Sequence, residues 1–106
     1  MPTFVITGSY SVKAAADMLD KPRDREQMAR GIVEAAGGTL NGWWATTGPT
    51  DFLMIVTTDD IGKLMAGVMV ATGSGNFSGL QTQRAFSSQE FSAIQEHAQG
   101  LKSAYG

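Results

Sequence analysis

Pro2, Tyr10, Lys13, Asp51 and Arg84 carry the groups in this chain that could do chemistry without a metal. Pro2 becomes a secondary amine at the start of a strand if Met1 is removed. Such an amine acts as a general base when an apolar site lowers its pKa towards neutrality. Proline is also simply tolerated as the first residue of a strand. Asp51 closes the turn Gly48-Pro49-Thr50-Asp51, where it could stand at a pocket mouth as an acid or base. Turn chemistry accounts for the same residues, with Pro49 presetting the turn and Asp51 accepting from nearby backbone. Arg84, late in the last strand, is expected at the same end of the sheet as this turn. An Asp51–Arg84 ion pair with a structural role follows from that placement.

His97 is the only histidine and flanks the apolar stripe of the last helix. With no second ligand nearby, no multi-residue metal site is expected, and a solvent-facing position is. The absence of cysteine excludes disulfides, thiolate nucleophiles and thiolate-bound metals. Gly73-Ser74-Gly75-Asn76-Phe77-Ser78-Gly79 has the composition of a phosphate cradle. It leaves a helix and enters a strand, whereas phosphate loops run from strand to helix. Gly8-Ser9-Tyr10-Ser11, with Lys13 close behind, has the right order but lacks the rest of the motif, and helix capping explains it. Trp43, Trp44, Met65 and Met69 could line a pliable apolar pocket together with Tyr10 and Lys13. Helical spacing and strand alternation assign the tryptophans and methionines first to core and interface. Neighbours on a strand point apart, so one tryptophan faces the helices and the other the opposite side of the sheet.

The elements that position these groups follow from periodicity. Residues 3–7, 40–46, 52–57 and 77–86 read as strands, the middle two forming a hairpin that is apolar on both faces. Val12, Ala15, Ala16 and Leu19 make a short helix. A second, with Pro22 in its first turn, carries Met28, Ala29, Ile32, Val33 and Ala36 and ends at Gly37-Gly38. Thr58-Asp59-Asp60 caps a third helix with the stripe Ile61, Leu64, Met65, Val68, Met69. Ser87-Ser88-Gln89-Glu90 is a capping box before a last helix carrying Phe91, Ile94, Ala98 and Leu101. The order β-α-β-β-α-β-α predicts an α+β, ferredoxin-like βαββαβ domain over 1–106 with an extra C-terminal helix.

Composition bounds the function. The chain has 106 residues, 42% hydrophobic and 17% charged, with a net charge of −2. The eight Lys and Arg are scattered, which argues against binding nucleic acid through its backbone. No segment approaches the ~20 apolar residues of a membrane span, and no signal peptide is evident at the N-terminus. A cytoplasmic location is the expectation, and no cofactor is called for. Two helices cover one face of a four-stranded sheet. The other face would leave an apolar patch that a second copy covers most simply, giving a homodimer through the sheet face.

The chain resembles the GYD domain family, small bacterial proteins of the dimeric α/β-barrel group. The resemblance runs through Met1-Pro2-Thr3-Phe4-Val5, Ala36-Gly37-Gly38-Thr39-Leu40, Gly42–Asp51 and Thr82–Phe91. The tyrosine of the family's name is Thr50 here, while Gly48 and Asp51 remain. The resemblance implies two sheets packed face to face as a dimeric barrel, with no settled activity. The start Met1-Pro2-Thr3-Phe4 is also similar to that of tautomerases, which use the Pro2-type amine. The resulting expectation is a homodimer that binds a small apolar or aromatic ligand. The alternative is a cofactor-independent oxygenase, isomerase or tautomerase, which calls for a cavity of ~300 Å³ or more with an ionisable group inside.

Overall fold

Residues 1–105 are described by the structure, a computed structural model. Strands β1 (Thr3–Tyr10), β2 (Thr39–Ala45), β3 (Phe52–Thr57) and β4 (Phe77–Ala85) form one antiparallel sheet in the order β2-β3-β1-β4. Helices α1 (Val12–Asp20) and α2 (Arg25–Ala35) connect β1 to β2, and α3 (Ile61–Gly73) connects β3 to β4. Helix α4 (Ser88–Leu101) and a 3-10 turn (Lys102–Tyr105) follow the last strand. This is the ferredoxin-like arrangement, with β1 and β3 at the centre of the sheet.

Register settles the faces. Phe4, Ile6 and Gly8 of β1 stand opposite Val56, Met54 and Phe52 of β3. The row continues into β2 as Leu40 and Trp43. This face packs under α2 and α3, and the core consists of Phe4, Ile6, Val33, Leu40, Val56 and Leu64. Leu40 and Trp43 are three residues apart, a spacing that plain alternation forbids on one face. The ladder slips between Leu40 and Gly42, leaving Asn41 as an extra residue, so every β2 side chain after it changes sides. The Asn41 amide nitrogen donates to the Thr57 hydroxyl at 3.1 Å. The bulge sends Trp43 to the helices and Trp44 to the open face.

The open face carries Val5 and Thr7 of β1, Leu53 and Ile55 of β3, Trp44 of β2, and Gln81 and Gln83 of β4. Trp44 is 53% exposed. A Cβ on Gly42 would fall 2.4 Å from the Trp44 ring, so the indole lies back along its own strand over the bare glycine.

The helices are cut where side chains satisfy backbone. The Asp24 carboxylate accepts from the amides of Glu26 at 3.0 Å and Gln27 at 3.4 Å, and α2 begins at Arg25. Pro22 therefore lies in the connection before the helix, not in its first turn: Lys21 has left the helical conformation, and Asp24 is extended and holds the free amides. In α3 only Leu64 is buried, while Met65 and Met69 stand in solvent at 56% and 72% exposure. The helix lays a narrow stripe on the sheet, and these methionines are rotated away from it.

Helix α4 has no buried residue, although Phe91, Ile94 and Leu101 form a stripe along it. Its N-terminus is well secured. The Ser87 hydroxyl accepts from the Glu90 amide at 3.0 Å, and the Glu90 carboxylate accepts from the Ser87 amide at 2.8 Å. Arg84 reaches from β4 to the same carboxylate at 3.2 Å. The Ser87 amide first, and then the Arg84 guanidinium, hold the Glu90 carboxyl below the usual glutamate range. A carboxyl with a lowered folded pKa contributes its stabilisation above the ordinary value and loses it as pH falls through the lowered one. Amide protection along residues 88–101 should therefore fall with the Glu90 carboxyl titration followed by carbon NMR. Ser87→Ala should weaken α4 by about 1 kcal/mol, while the exchange of the Ile6 and Val56 amides stays unchanged.

Candidate functional site

The helix face of the sheet ends in a cluster of rings. Tyr10 closes β1, and its ring centroid lies 5.4 Å from that of Phe52 and 5.8 Å from that of Phe77. Phe52 meets Phe77 edge-on at 5.8 Å and stacks on Trp43 at 6.2 Å. Such centroid separations lie within the range in which aromatic pairs attract. The backbone under Tyr10 is pinned by the β2–β3 turn. The Asp51 carboxylate accepts from the Tyr10 amide at 2.9 Å, and the Asp51 amide donates to the Gly8 carbonyl at 2.7 Å. The Thr46 amide donates to the Asp51 carbonyl at 2.9 Å, and Gly48 takes φ 101°, a conformation suited to glycine.

Above these rings, α2 and α3 do not close completely on the sheet. They come together at Gly67, where a Cβ would sit 3.2 Å from that of Ala36. Between the helices and the sheet there remains a cavity of about 160 Å³. Trp43, Phe52, Phe77, Met28, Tyr10 and Arg25 line it, with aliphatic residues of both helices. A cavity of about 150 Å³ takes one benzene-sized ring.

Arg25 and Tyr10 stand in this wall, with Ser74 and Asn76. The Arg25 guanidinium lies 5.7 Å from the centre of the Tyr10 ring, within cation–π range. Its Nη1 donates to the Met28 sulfur at 3.5 Å, and its buried Nε has no hydrogen-bond partner. Burial pushes the Tyr10 phenol above its ordinary pKa; Arg25 opposes the shift and Asp51 adds to it. The arrangement is an aromatic slot with one cation in its wall, the Tyr10 phenol beside it, and Ser74 and Asn76 as further polar residues, the Ser74 hydroxyl donating to the Ala71 carbonyl at 2.6 Å.

Of the residues singled out from the sequence, Tyr10 and Trp43 line this cavity. Asp51 is outside it, an exposed turn residue that positions Tyr10 through the backbone. Lys13 is exposed on α1, and Trp44, Met65 and Met69 face solvent. Pro2 sits at the other end of β1, its carbonyl accepting from the Thr58 amide at 3.1 Å. The expected Asp51–Arg84 pair does not form. Arg84 stands opposite Phe4, whereas Asp51 precedes Phe52, the partner of Gly8. Strands β3 and β4 both run antiparallel to β1, hence parallel to each other, and the end of one cannot meet the beginning of the other. Arg84 instead pairs with Glu90, donates to the Thr3 carbonyl at 3.3 Å and to the Ala85 carbonyl, and stacks 4.3 Å from the centre of the Phe86 ring.

His97 is exposed on α4, and no group of three His, Cys, Asp or Glu side chains converges among the described residues. No helix among them is long and apolar enough to cross a membrane. Sequence reasoning missed Arg25, Phe52, Phe77 and Met28 as cavity residues. Phe52 and Phe77 each open a strand, and their pairing with the end of β1 is the signal that joins them to Tyr10. Nothing local distinguishes Arg25 from the exposed Arg23 or from Arg30, which pairs with Glu26 and donates to the Leu40 carbonyl.

A raised phenol pKa means that the neutral tyrosine is favoured by the fold. Its contribution holds below the ordinary tyrosine value and is lost as pH rises through the raised one. In a Tyr105→Phe variant, which leaves Tyr10 as the only tyrosine, ultraviolet titration should give one midpoint above 10.0. Arg25→Gln should move that midpoint further up.

Comparison with solved structures places the fold. The crystal structure of FFRP-DM1 superposes with a TM-score of 0.55 at 14% identity, covering 81% of this chain and 100% of that one. The hypothetical protein PHS023 from Pyrococcus horikoshii gives 0.52 at 15% identity, over 82% of this chain and 92% of its own. An uncharacterized NIPSNAP domain protein from Burkholderia xenovorans gives 0.51 at 12%, over 83% and 95%. At these identities the likeness is one of fold. No curated protein matches the chain at a significant level. The GYD domain model matches residues 4–94, nearly all of the sheet and its helices, and the chain belongs to the GYD domain family.

Proposed function

We propose that this protein works as a homodimer joined through the open sheet face, each subunit holding a small apolar or aromatic molecule between its sheet and helices α2 and α3. The observation that carries the binding reading is the cavity of about 160 Å³ floored by Trp43, Phe52 and Phe77. The cavity is partly open and walled almost wholly by apolar atoms, so a ring-sized molecule entering it buries apolar surface against the aromatic floor. The larger groove outside α2 and α3, about 500 Å³, is lined by small residues with Glu34 and Lys63 and has no ring to grip a ligand. The volume under the helices is below the ~300 Å³ of pockets for drug-sized ligands and suits a single-ring compound.

The dimer reading rests on what the single chain leaves uncovered. Trp44, Leu53, Ile55 and Val5 form an apolar cluster on the open face. Four strands about 4.8 Å apart and six paired residues at about 3.3 Å give a footprint of roughly 20 by 20 Å. That is about half of the ~800 Å² per partner in a stable interface. The bare stripe of α4, Phe91, Ile94 and Leu101, supplies apolar area of the same order for the second copy.

Light scattering at micromolar concentration should give twice the chain mass for the native protein and the chain mass for Trp44→Arg; a monomeric native protein overturns the dimer. Toluene should shift the indole N–H resonance of Trp43 saturably and leave that of Trp44 in place. Toluene without effect on Trp43 overturns the cavity as a binding site.

A further inference from the structure

We propose that the cavity ligand carries a carboxylate: a single aromatic ring whose anionic group is received by Arg25, with the Tyr10 hydroxyl as a second donor. The inference deepens the binding role given above and rests on it. It starts from an imbalance in the cavity wall. Nearly everything there is hydrocarbon, yet Arg25 places a guanidinium in it. A cation taken partly out of water is costly unless it is paired and hydrogen-bonded. Among the described residues Arg25 has no carboxylate partner. Its only hydrogen bond is the weak one to the Met28 sulfur, and its Nε is buried and unused.

The nearby acids are committed elsewhere. Asp24 accepts the first amides of α2, Asp51 accepts the Tyr10 amide, and Glu26 lies 4.0 Å from Arg30. The other arginine that packs on rings shows the contrast. Arg84 lies 5.8 Å from the centre of the Phe4 ring, much as Arg25 lies 5.7 Å from that of Tyr10, and it has Glu90 and the Thr3 carbonyl as partners. A guanidinium presents its N–H groups as a planar fork that matches a carboxylate in two parallel bonds. In Arg25 one tine of that fork, Nε, has no partner and no water-accessible surface, so a carboxylate takes it up by displacing the side chains that now cover it. Tyr10 stands beside it as a phenol kept neutral, hence able to donate, at the same end of the cavity.

The ring of the ligand then has Trp43, Phe52 and Phe77 for its faces and edges. The cavity volume limits the ligand to one ring with its carboxylate at or near it. A neutral compound of the same shape fills the slot and leaves the Arg25 Nε as it was. Charge, not shape, is what separates the two.

The experiment uses the native protein and three probes of one size: benzoate, benzyl alcohol and toluene. Titrations are followed at the Arg25 Nε–H and Trp43 indole resonances. Benzoate should bind at least about tenfold more tightly than benzyl alcohol, as a charge-assisted pair predicts, and should move both resonances. Arg25→Gln should lose that preference and bind toluene within about twofold of the native protein, which also checks that the variant is folded. Toluene binding with benzoate no tighter than benzyl alcohol overturns the anion inference and leaves the apolar site standing. Failure of all three probes to reach Trp43 overturns the binding role, and this inference with it. Tight benzoate binding that survives Arg25→Gln assigns the anion to another group and overturns the role of Arg25.

Discussion

One extra residue in an edge strand decides what each surface of this sheet is for. Leu40 is anchored inward against Val56, and unbroken alternation from Leu40 would send Trp44 to the helices and Trp43 outward. Asn41 breaks the count, so Trp43 stacks on Phe52 and Trp44 lies across Gly42 on the open face. The aromatic floor of the cavity and the apolar cluster on the far side depend on the same slip. A bulge is a modest distortion of the ladder, but because the side-chain period is two it moves every later residue.

The same economy appears in the two arginines that pack against rings. Arg84 ties β4 to the beginning of α4 through Glu90 and to β1 through the Thr3 carbonyl. With its donors in use, it is a structural clamp. Arg25 has a looser cation–π contact with Tyr10, at 5.7 Å, and an unused Nε inside an apolar wall. Both are arginines set against a ring. What differs is whether the chain supplies an acceptor.

The helices show how far a short chain can cover a sheet. Helices α2 and α3 each bury a single residue fully, Val33 and Leu64. Their other apolar residues line the cavity, as Met28 and Ile32 do, or face water, as Met65 and Met69 do. The close approach at Gly67 and Ala36 brings the helices together at one end. The cavity beneath them runs from Arg25 and Phe77 to Ala36 and Gly67. Helix α4, secured at its start and bare along its length, is held by its cap and by local structure alone.

The sequence by itself determined the elements, their order and the family. Strand alternation, the capping box at Ser87–Glu90 and the Gly37-Gly38 stop are local effects, written in residues a few positions apart. It also determined that the two tryptophans part company and that Asp51 serves the turn. The start of α2 is also local: Asp24 caps the amides two and three residues on, an N-cap signal that competes with the first-turn preference of Pro22 and wins. Which tryptophan faces inward, that Arg84 meets Glu90 rather than Asp51, and that Tyr10, Arg25, Phe52 and Phe77 share one cavity were decided by tertiary structure. Each depends on strand register and direction, through hydrogen bonds between segments dozens of residues apart. Periodicity within one segment carries no record of that pairing.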